Sequence, residues 1–309
     1  MSFAYLFTVF TPTYNRASTL PRVYESVKAQ TFRDFEWLIV DDGSSDNTRE
    51  IVEKWRAEAD FPIRYIYQTN QGKPAAYNRA VAEAQGELFL FIDSDDACLP
   101  QALERLKYHW DSIAADQRDK FSAVTVLCED QHGRLCGERF PRDILDSDSL
   151  EMYMTYRTPG EKWGFQRTDV LREFPFPALP GERFVPESVV WLALSRKYKT
   201  RFVNEVLRIY YINDGRADHL SYLNNPGILS GRAFFHRKVL NDFVDWVFRA
   251  PLALYRSAIN FSRYSFDLGK GPVSQFKELN NVRARALLGG SLPVGFVMYL
   301  KDRRALRHP

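Results

Sequence analysis

The run "FLFIDSDD" (Phe89–Asp96) passes from four apolar residues straight into three carboxylates within four positions, Asp93, Asp95 and Asp96. Carboxylates this close repel one another unless a cation neutralises them, and oxygen ligands of this kind suit a hard divalent ion such as Mg²⁺ or Mn²⁺. A solvated acidic turn would belong in a polar stretch, whereas this cluster ends an apolar run with strand character. A calcium loop is excluded. Asp93, Asp95 and Glu104 fall at its first, third and twelfth positions, but Ala97 and Cys98 stand where a ligand and a glycine are required.

Three further segments combine polar side chains with turn formers: "TPTYNR" (Thr11–Arg16), "DDGSSDNT" (Asp41–Thr48) and "NQGKPAAYNRA" (Asn70–Ala80). In the second, Gly43 suits a tight turn and Ser45 or Asp46 can cap a helix. Capping explains one aspartate and not the adjacent pair Asp41 and Asp42, which can accept hydrogen bonds from a base or ribose. Arg16, Lys73 and Arg79 could pair with phosphate, and Asn70 or Asn78 could hydrogen-bond phosphate or sugar. Basic residues on solvated helix faces give the same pattern, so each is weak alone. Neither a GxGxxG fingerprint nor a phosphate-loop lysine motif occurs, which removes support for a dinucleotide or P-loop site.

The elements that must position these loops alternate. Short β-branched or apolar runs predict strands at Tyr5–Phe10, Glu36–Val40, Ile63–Tyr67, Leu88–Ile92 and Ala123–Leu127. Helical periodicity lies between them, at about Thr19–Gln30, Asn47–Ala59, Pro74–Gln85 and Pro100–Ala115, with Ser18 as a first N-cap and Gly86 as a helix stop. This is the pattern of an α/β fold with a mostly parallel sheet, whose ligands sit beyond the carboxyl ends of the strands. All four polar segments follow predicted strands, so they point to one shared site. After Asp130 the alternation weakens, and "PGEKWGFQR" and "PALPGERFVPESVVW" read as long loops that enclose short elements and serve a second substrate. From Ile228 to Phe266 the spacing predicts two amphipathic helices separated near Ala250 and Pro251.

Taken in order, the four segments resemble those of the family 2 glycosyltransferases of GT-A fold, over roughly Phe7 to Pro100. The resemblance implies a Rossmann-like mixed sheet flanked by helices, with a helical C-terminal extension. Residues 1–225 would form the catalytic domain, 1–100 for the nucleotide-sugar and 101–225 for the acceptor, followed by a basic helical region at 226–309. It implies nucleotide contacts, usually to uridine, at Thr11, Pro12, Tyr14, Arg16 and Asp41 or Asp42. In "DSDD" it implies that Asp93, Ser94 and Asp95 hold ribose and a diphosphate-bridging divalent metal, Mn or Mg, with Asp96 near the sugar. The family's base is a carboxylate just before a late helix. Glu187 in "PES" matches it, although the family commonly has Glu-Asp there, and Glu182 is a rival. Trp163 and Gly164 in "EKWGFQR" fall in the acceptor region, although a core tryptophan would read the same way, and His219 is a candidate facing the diphosphate. The implied activity is an inverting transfer of a hexosyl-type sugar from a UDP donor to a hydroxyl, plausibly on a lipid-linked or surface-polysaccharide glycan. A catalytically silent nucleotide-sugar-binding module is the alternative. A sugar-phosphate nucleotidyltransferase is disfavoured because its Gly-rich, Arg-containing N-terminal loop is absent.

Composition agrees with this class. The 309 residues, 45% of them hydrophobic, can bury a large core, and 42 basic against 39 acidic residues give only +3, too little to indicate nucleic acid. Three cysteines without metal-ligand spacing fit a reducing compartment, and "AYLFTVF" reads as a first strand rather than a signal peptide, so the expected location is cytoplasmic. Between Pro251 and Pro309 ten basic residues face three acidic ones, a local +7 that leaves −4 for the remainder. Together with "LLGGSLPVGFVMYL" this composition suits peripheral contact with an anionic membrane surface, while core covering or dimerisation would use the same residues. The uncharged stretch Ala286–Leu300 is too short to span a bilayer and is interrupted by Gly289, Gly290, Pro293 and Gly295.

Overall fold

The computed structural model describes residues 3–177, 185–212 and 226–305. The chain divides into two compact units, one of residues 1–178 with 190–216 and the other of 179–189 with 217–309.

Unit one is built on a sheet that, among the described residues, has nine strands. They are β1 (Tyr5–Thr13), β2 (Phe35–Asp41), β3 (Ile63–Tyr67), β4 (Gly86–Phe91), β5 (Ala97–Cys98), β6 (Phe121–Asp130), β7 (Ile144–Ser147), β8 (Lys162–Arg167) and β9 (Lys199–Tyr210). The order is β3-β2-β1-β4-β8-β6-β9-β5, with β7 also paired to β9. β1, β2, β3, β4, β6 and β9 run one way and β5, β7 and β8 the other, so the sheet is mixed and mostly parallel. The helices joining them are α1 (Leu20–Lys28), α2 (Thr48–Glu58), α3 (Lys73–Glu83), α4 (Ala102–Asp111), the single turn α5 (Ser149–Glu151), α6 (Thr168–Glu173) and α7 (Ser188–Leu194).

Strand alternation sorts the side chains into two cores. Val9, Trp37, Leu88 and Leu90 pack with Val23 of α1, Trp55 of α2 and Trp110 of α4. Phe10, Phe89 and Phe91 turn the other way, onto Tyr77 of α3. Residues of both sets are almost wholly removed from water, as strands covered on both faces require. The helix starts differ in detail from expectation. Thr19 rather than Ser18 occupies the first cap position, while Asp46 holds the start of α2 by accepting from the Thr48 amide and hydroxyl. Gly86 does not stop a helix. It opens β4, donating its amide to the Thr8 hydroxyl at 2.8 Å, while α3 has already ended at Glu83.

The second half holds more strand than the sequence suggests. "PGEKWGFQR" is not a loop, because Lys162–Arg167 forms β8, inserted between β4 and β6 and antiparallel to both. A six-residue strand rich in Lys, Gln and Arg carries little local signal, and its partners, 40 and 75 or so positions away, are what define it.

Unit two contains α8 (Pro226–Asp242), α9 (Pro251–Asp267), α10 (Pro272–Lys277) and α11 (Val282–Ala305), with a 3₁₀ turn at Val244–Phe248. α9 packs against both α8 and α11 around Leu240, Ala258, Phe261, Leu279, Ala284 and Leu288. The expected break between the first two helices is there. The expected interruption of Ala286–Leu300 is not, since α11 runs through Gly289, Gly290, Pro293 and Gly295. Packing along α9 sustains it, and the Tyr255 hydroxyl of α9 donates to the Gly290 carbonyl at 3.1 Å, close to the position where Pro293 withholds an amide. None of the helices among the described residues is long and apolar enough to cross a membrane.

One buried charge braces the parallel half. Glu36, fully buried in β2, accepts from the Thr8 hydroxyl at 2.6 Å, the Gln85 amide at 2.7 Å and Arg64 at 2.9 Å, linking β1, β2, β3 and the entry to β4. Replacing it by alanine strands three polar groups. Glu36→Ala is expected to lower stability by about 3 kcal/mol, read from the shift in urea midpoint at unchanged slope.

Candidate active site

The carboxyl ends of β1, β2, β3 and β4 lie side by side, and the four polar segments leave the sheet there. Their side chains are mostly spent on one another. Asp41, at the end of β2, accepts from the Ser44 amide at 2.7 Å and from the Tyr65 hydroxyl at 2.5 Å, and burial together with this carboxylate raises the Tyr65 phenol well above its usual range. Asp42 takes the Gln68 side chain at 2.7 Å and the Gln71 and Gly72 amides at 2.9 and 2.7 Å, so one carboxylate ties β2 to the loop entering α3. Asn15, in the left-handed region at φ +52°, donates its amide to Ser44 and accepts from the Ser45 amide, both at 2.8 Å. Gly43 has φ +91°, and a Cβ there would come within 3.0 Å of the Asn70 amide nitrogen, so the second and third loops meet at a position only glycine fills without strain.

The acidic turn after β4 is neutralised from within. Arg208 of β9 is 3% exposed and bonds Asp93 at 2.8 Å, while its Nε and a terminal nitrogen both contact Asp96. Asp96 also accepts from the Tyr211 amide at 2.9 Å. Lys73, at the start of α3, bonds the other Asp93 oxygen at 2.8 Å and lies over the Phe91 ring. Burial opposes the charge of Asp93, but Lys73 and Arg208 more than offset it and hold the carboxyl below its ordinary range. Asp96 goes the other way: its burial lifts it to about 6 against the pull of Arg208, with Asp93 adding to the rise. Arg22 of α1 donates to the Asp95 carbonyl at 2.6 Å and stacks 3.6 Å from the Tyr211 ring centroid, fixing the turn's backbone.

The expected contacts therefore separate. Arg16, Asp42, Asn70, Asp93, Ser94 and Asp95 lie on these loops, Pro12 and Asp41 close the strands that lead into them and Lys73 opens α3, and Tyr14 is half exposed. Thr11 does not present its hydroxyl to a ligand, because it accepts from the Trp37 indole at 3.0 Å. Two residues on, the buried Thr13 hydroxyl has no partner, nor does the buried Asn70 side-chain oxygen, at the ends of β1 and β3 on either side of β2. Asn78 clamps the Phe176 backbone with both ends of its amide, at 2.9 and 3.0 Å, and Arg79 pairs with Glu83 one helical turn on. Trp163 is a core residue, 3% exposed, with its indole on the Phe91 carbonyl. Gly164 sits flat against β6, where a Cβ would fall 1.9 Å from the Val124 carbonyl oxygen. Neither presents a side chain to an acceptor. Asp96 is likewise closed off by Arg208. Glu187 immediately precedes α7, and Glu182 and His219 lie outside the described residues.

Sequence reasoning missed Arg22, Arg208 and Thr13. Thr13 lies within "TPTYNR" and Arg208 is the one charge in the strand run "VLRIYY", whereas Arg22 carried no local signal. The carboxylates also decide how a metal could be held. Both Asp93 oxygens are engaged by cations, and no group of three ligating side chains occurs among the described residues. The resemblance assigns a divalent ion to this turn, and one carboxylate such as Asp95 would suffice for Mg²⁺ or Mn²⁺ where a substrate phosphate supplied further oxygens.

Residues 8–166 match the model of glycosyl transferase family 2, just over half of the chain, and the chain belongs to that family. An uncharacterized glycosyltransferase of Nostoc sp. is 42% identical over 99 residues, 32% of this chain and 31% of that protein. The GalNAc(5)-diNAcBac-PP-undecaprenol beta-1,3-glucosyltransferase of Campylobacter jejuni is 28% identical over 211 residues, 66% of this chain and 64% of that protein. The chain thus spans less than two thirds of the length of either relative. The crystal structure of Staphylococcus aureus TarS 1–349 in complex with UDP-GlcNAc superposes with a TM-score of 0.61 at 19% identity, covering 96% of this chain and 80% of that one. The shared fold is the GT-A fold.

The raised Asp96 carboxyl has a measurable sign. Between its unfolded value of 3.8 and about 6 the folded protein binds the extra proton, so this group's contribution to stability is full below pH 4 and is lost as pH rises through 6. In urea unfolding, the stability of wild type minus that of Asp96→Asn is expected to fall between pH 4 and 6, by on the order of 3 kcal/mol at most. A difference that grows with pH would mean that Arg208 dominates instead.

Proposed function

We propose that this chain is a metal-dependent, inverting glycosyltransferase that moves a sugar from a UDP-linked donor to an acceptor hydroxyl on a lipid-linked or surface-polysaccharide glycan. The observation that carries the reading is the pair of buried, partnerless polar atoms, Thr13 Oγ1 at the end of β1 and Asn70 Oδ1 after β3, at the sheet edge where Lys73 opens α3 and Asp95 follows β4. A nucleoside offers partners for such atoms, and a diphosphate offers charge for Lys73 and Arg16. The TarS complex with UDP-GlcNAc, of the same fold, supports a uridine donor, and the undecaprenol-linked name of the Campylobacter relative supports the acceptor class.

In this mechanism the Asp41 and Asp42 hydrogen bonds hold the nucleotide loops in one shape before the donor arrives, so little ordering remains to be done on binding. Asp95 would hold a divalent cation, which when bound would supply Lewis-acid stabilisation of the leaving diphosphate. Lys73, paired with Asp93, would add positive charge at the same sheet edge. Glu187 takes the proton of the attacking acceptor hydroxyl as the anomeric carbon becomes oxocarbenium-like. One base and one in-line displacement invert the anomeric centre, as in inverting glycosidases with the acceptor in the place of water.

Calorimetric titration of UDP tests the donor site. Binding is expected with Mn²⁺, and to be lost with EDTA and in Asp95→Ala. Glu187→Gln is expected to leave UDP affinity unchanged while lowering sugar transfer by about 10²- to 10⁴-fold. Absence of UDP binding under every condition would overturn the uridine assignment. Binding with full transfer in Glu187→Gln would move the base elsewhere, and binding with no transfer in wild type would leave a nucleotide-sugar-binding module.

A further inference from the structure

Helix α11 has an outward face that a water-exposed helix should not have. Ala284, Leu288, Ser291 and Gly295, spaced by three and four, are buried on the side toward α9. The opposite side, at the same spacing, carries Ala286, Gly290, Pro293, Val297 and Leu300, all exposed, with Val294 and Phe296 beside them. Val294, Phe296, Val297 and Leu300 are 41 to 51% exposed. No charged residue interrupts Ala286–Leu300, whereas an amphipathic helix on a protein surface turns a polar face outward. The charges stand at the two ends of this stripe, Arg283 and Arg285 before it and Lys301, Arg303 and Arg304 after it. The one acid there, Asp302, is held by Arg263 of α9 at 2.5 Å. Phe248, 83% exposed, extends the apolar surface beside Arg283, whose guanidinium lies 5.8 Å from its ring centroid.

We infer that the outward face of α11 is a docking surface for an anionic lipid bilayer, on which the helix lies flat. Its charge pattern argues against a second copy of the chain. With two α11 helices paired in parallel or antiparallel, basic ends meet basic ends either way, and like charges brought together oppose association. An anionic surface satisfies both ends at once. Its length argues against crossing. Fifteen uncharged residues rise about 21 Å along a helix, short of the roughly 30 Å of a bilayer core, but an apolar stripe with basic flanks matches the interfacial mode of binding. This surface is inferred independently of the reaction proposed above.

Sedimentation of the full chain with vesicles tests it. Binding is expected to vesicles of phosphatidylcholine containing about a third phosphatidylglycerol, and to weaken at least about tenfold on pure phosphatidylcholine or on raising salt from about 0.1 to 0.5 M. Val297→Asp with Leu300→Asp, both at exposed positions, is expected to weaken it at least about tenfold at unchanged thermal midpoint. Lys301→Gln and Arg304→Gln, which leave the apolar face intact, should each weaken it roughly fivefold. Failure to bind the anionic vesicles, or binding indifferent to both sets of substitutions, would overturn the proposal. So would a dimer in sedimentation equilibrium that Val297→Asp and Leu300→Asp dissolve, because the face would then belong to a second copy.

Discussion

The acidic end of β4 can exist only because Arg208 reaches it. Three carboxylates in four residues, with Asp96 almost wholly buried, would repel one another and resist burial without a desolvated cation between them. Arg208 comes from β9, more than a hundred residues later in the chain, and bonds both Asp93 and Asp96. The register of β5 against β9 pairs Cys98 directly with Arg208, so the turn is fastened to the same strand immediately after its carboxylates. Lys73 then completes the neutralisation from α3. The result is a fixed turn in which the Asp93 and Asp96 charges are already answered.

The same economy governs the loops after β1, β2 and β3. Residues that could be taken as ligand contacts from their type alone hold backbone instead. Asp42 organises the loop before α3, Asp41 closes the β2 turn, and Asn15 locks the first loop to the second. Such bonds stiffen a binding edge whose loops would otherwise be mobile, and they leave selected atoms, on Thr13 and Asn70, without a partner in the protein. In this family member, then, much of the motif is architecture for the site.

Unit two follows a different packing logic. α9 buries small residues, Ala258, Ser257, Ser262 and Ser265, and α11 answers with Ala284, Ser291 and Gly295, which lets the two helices run close along their lengths. That contact is what carries α11 through three glycines and a proline. His236 of α8 is enclosed in the same unit, and burial, with Arg232 adding, depresses its imidazole to about 3, so it stays neutral at physiological pH.

The sequence by itself determined the alternation of β1 to β4 with α1 to α4, the four polar segments at the strand ends, and the resemblance they form together, because these rest on local periodicity and turn chemistry. It also set the basic, uncharged-centred pattern of α11. Only the tertiary structure decided that Lys162–Arg167 is a strand, that Thr11 serves Trp37 while Thr13 is left without a partner, that Asn78, Trp163 and Gly164 are structural, and that Arg22 and Arg208 hold the acidic turn. Each of those outcomes depends on a partner dozens of residues or more distant along the chain. Side-chain type restricts what a residue can bond, but the fold chooses which of the possible partners is within reach.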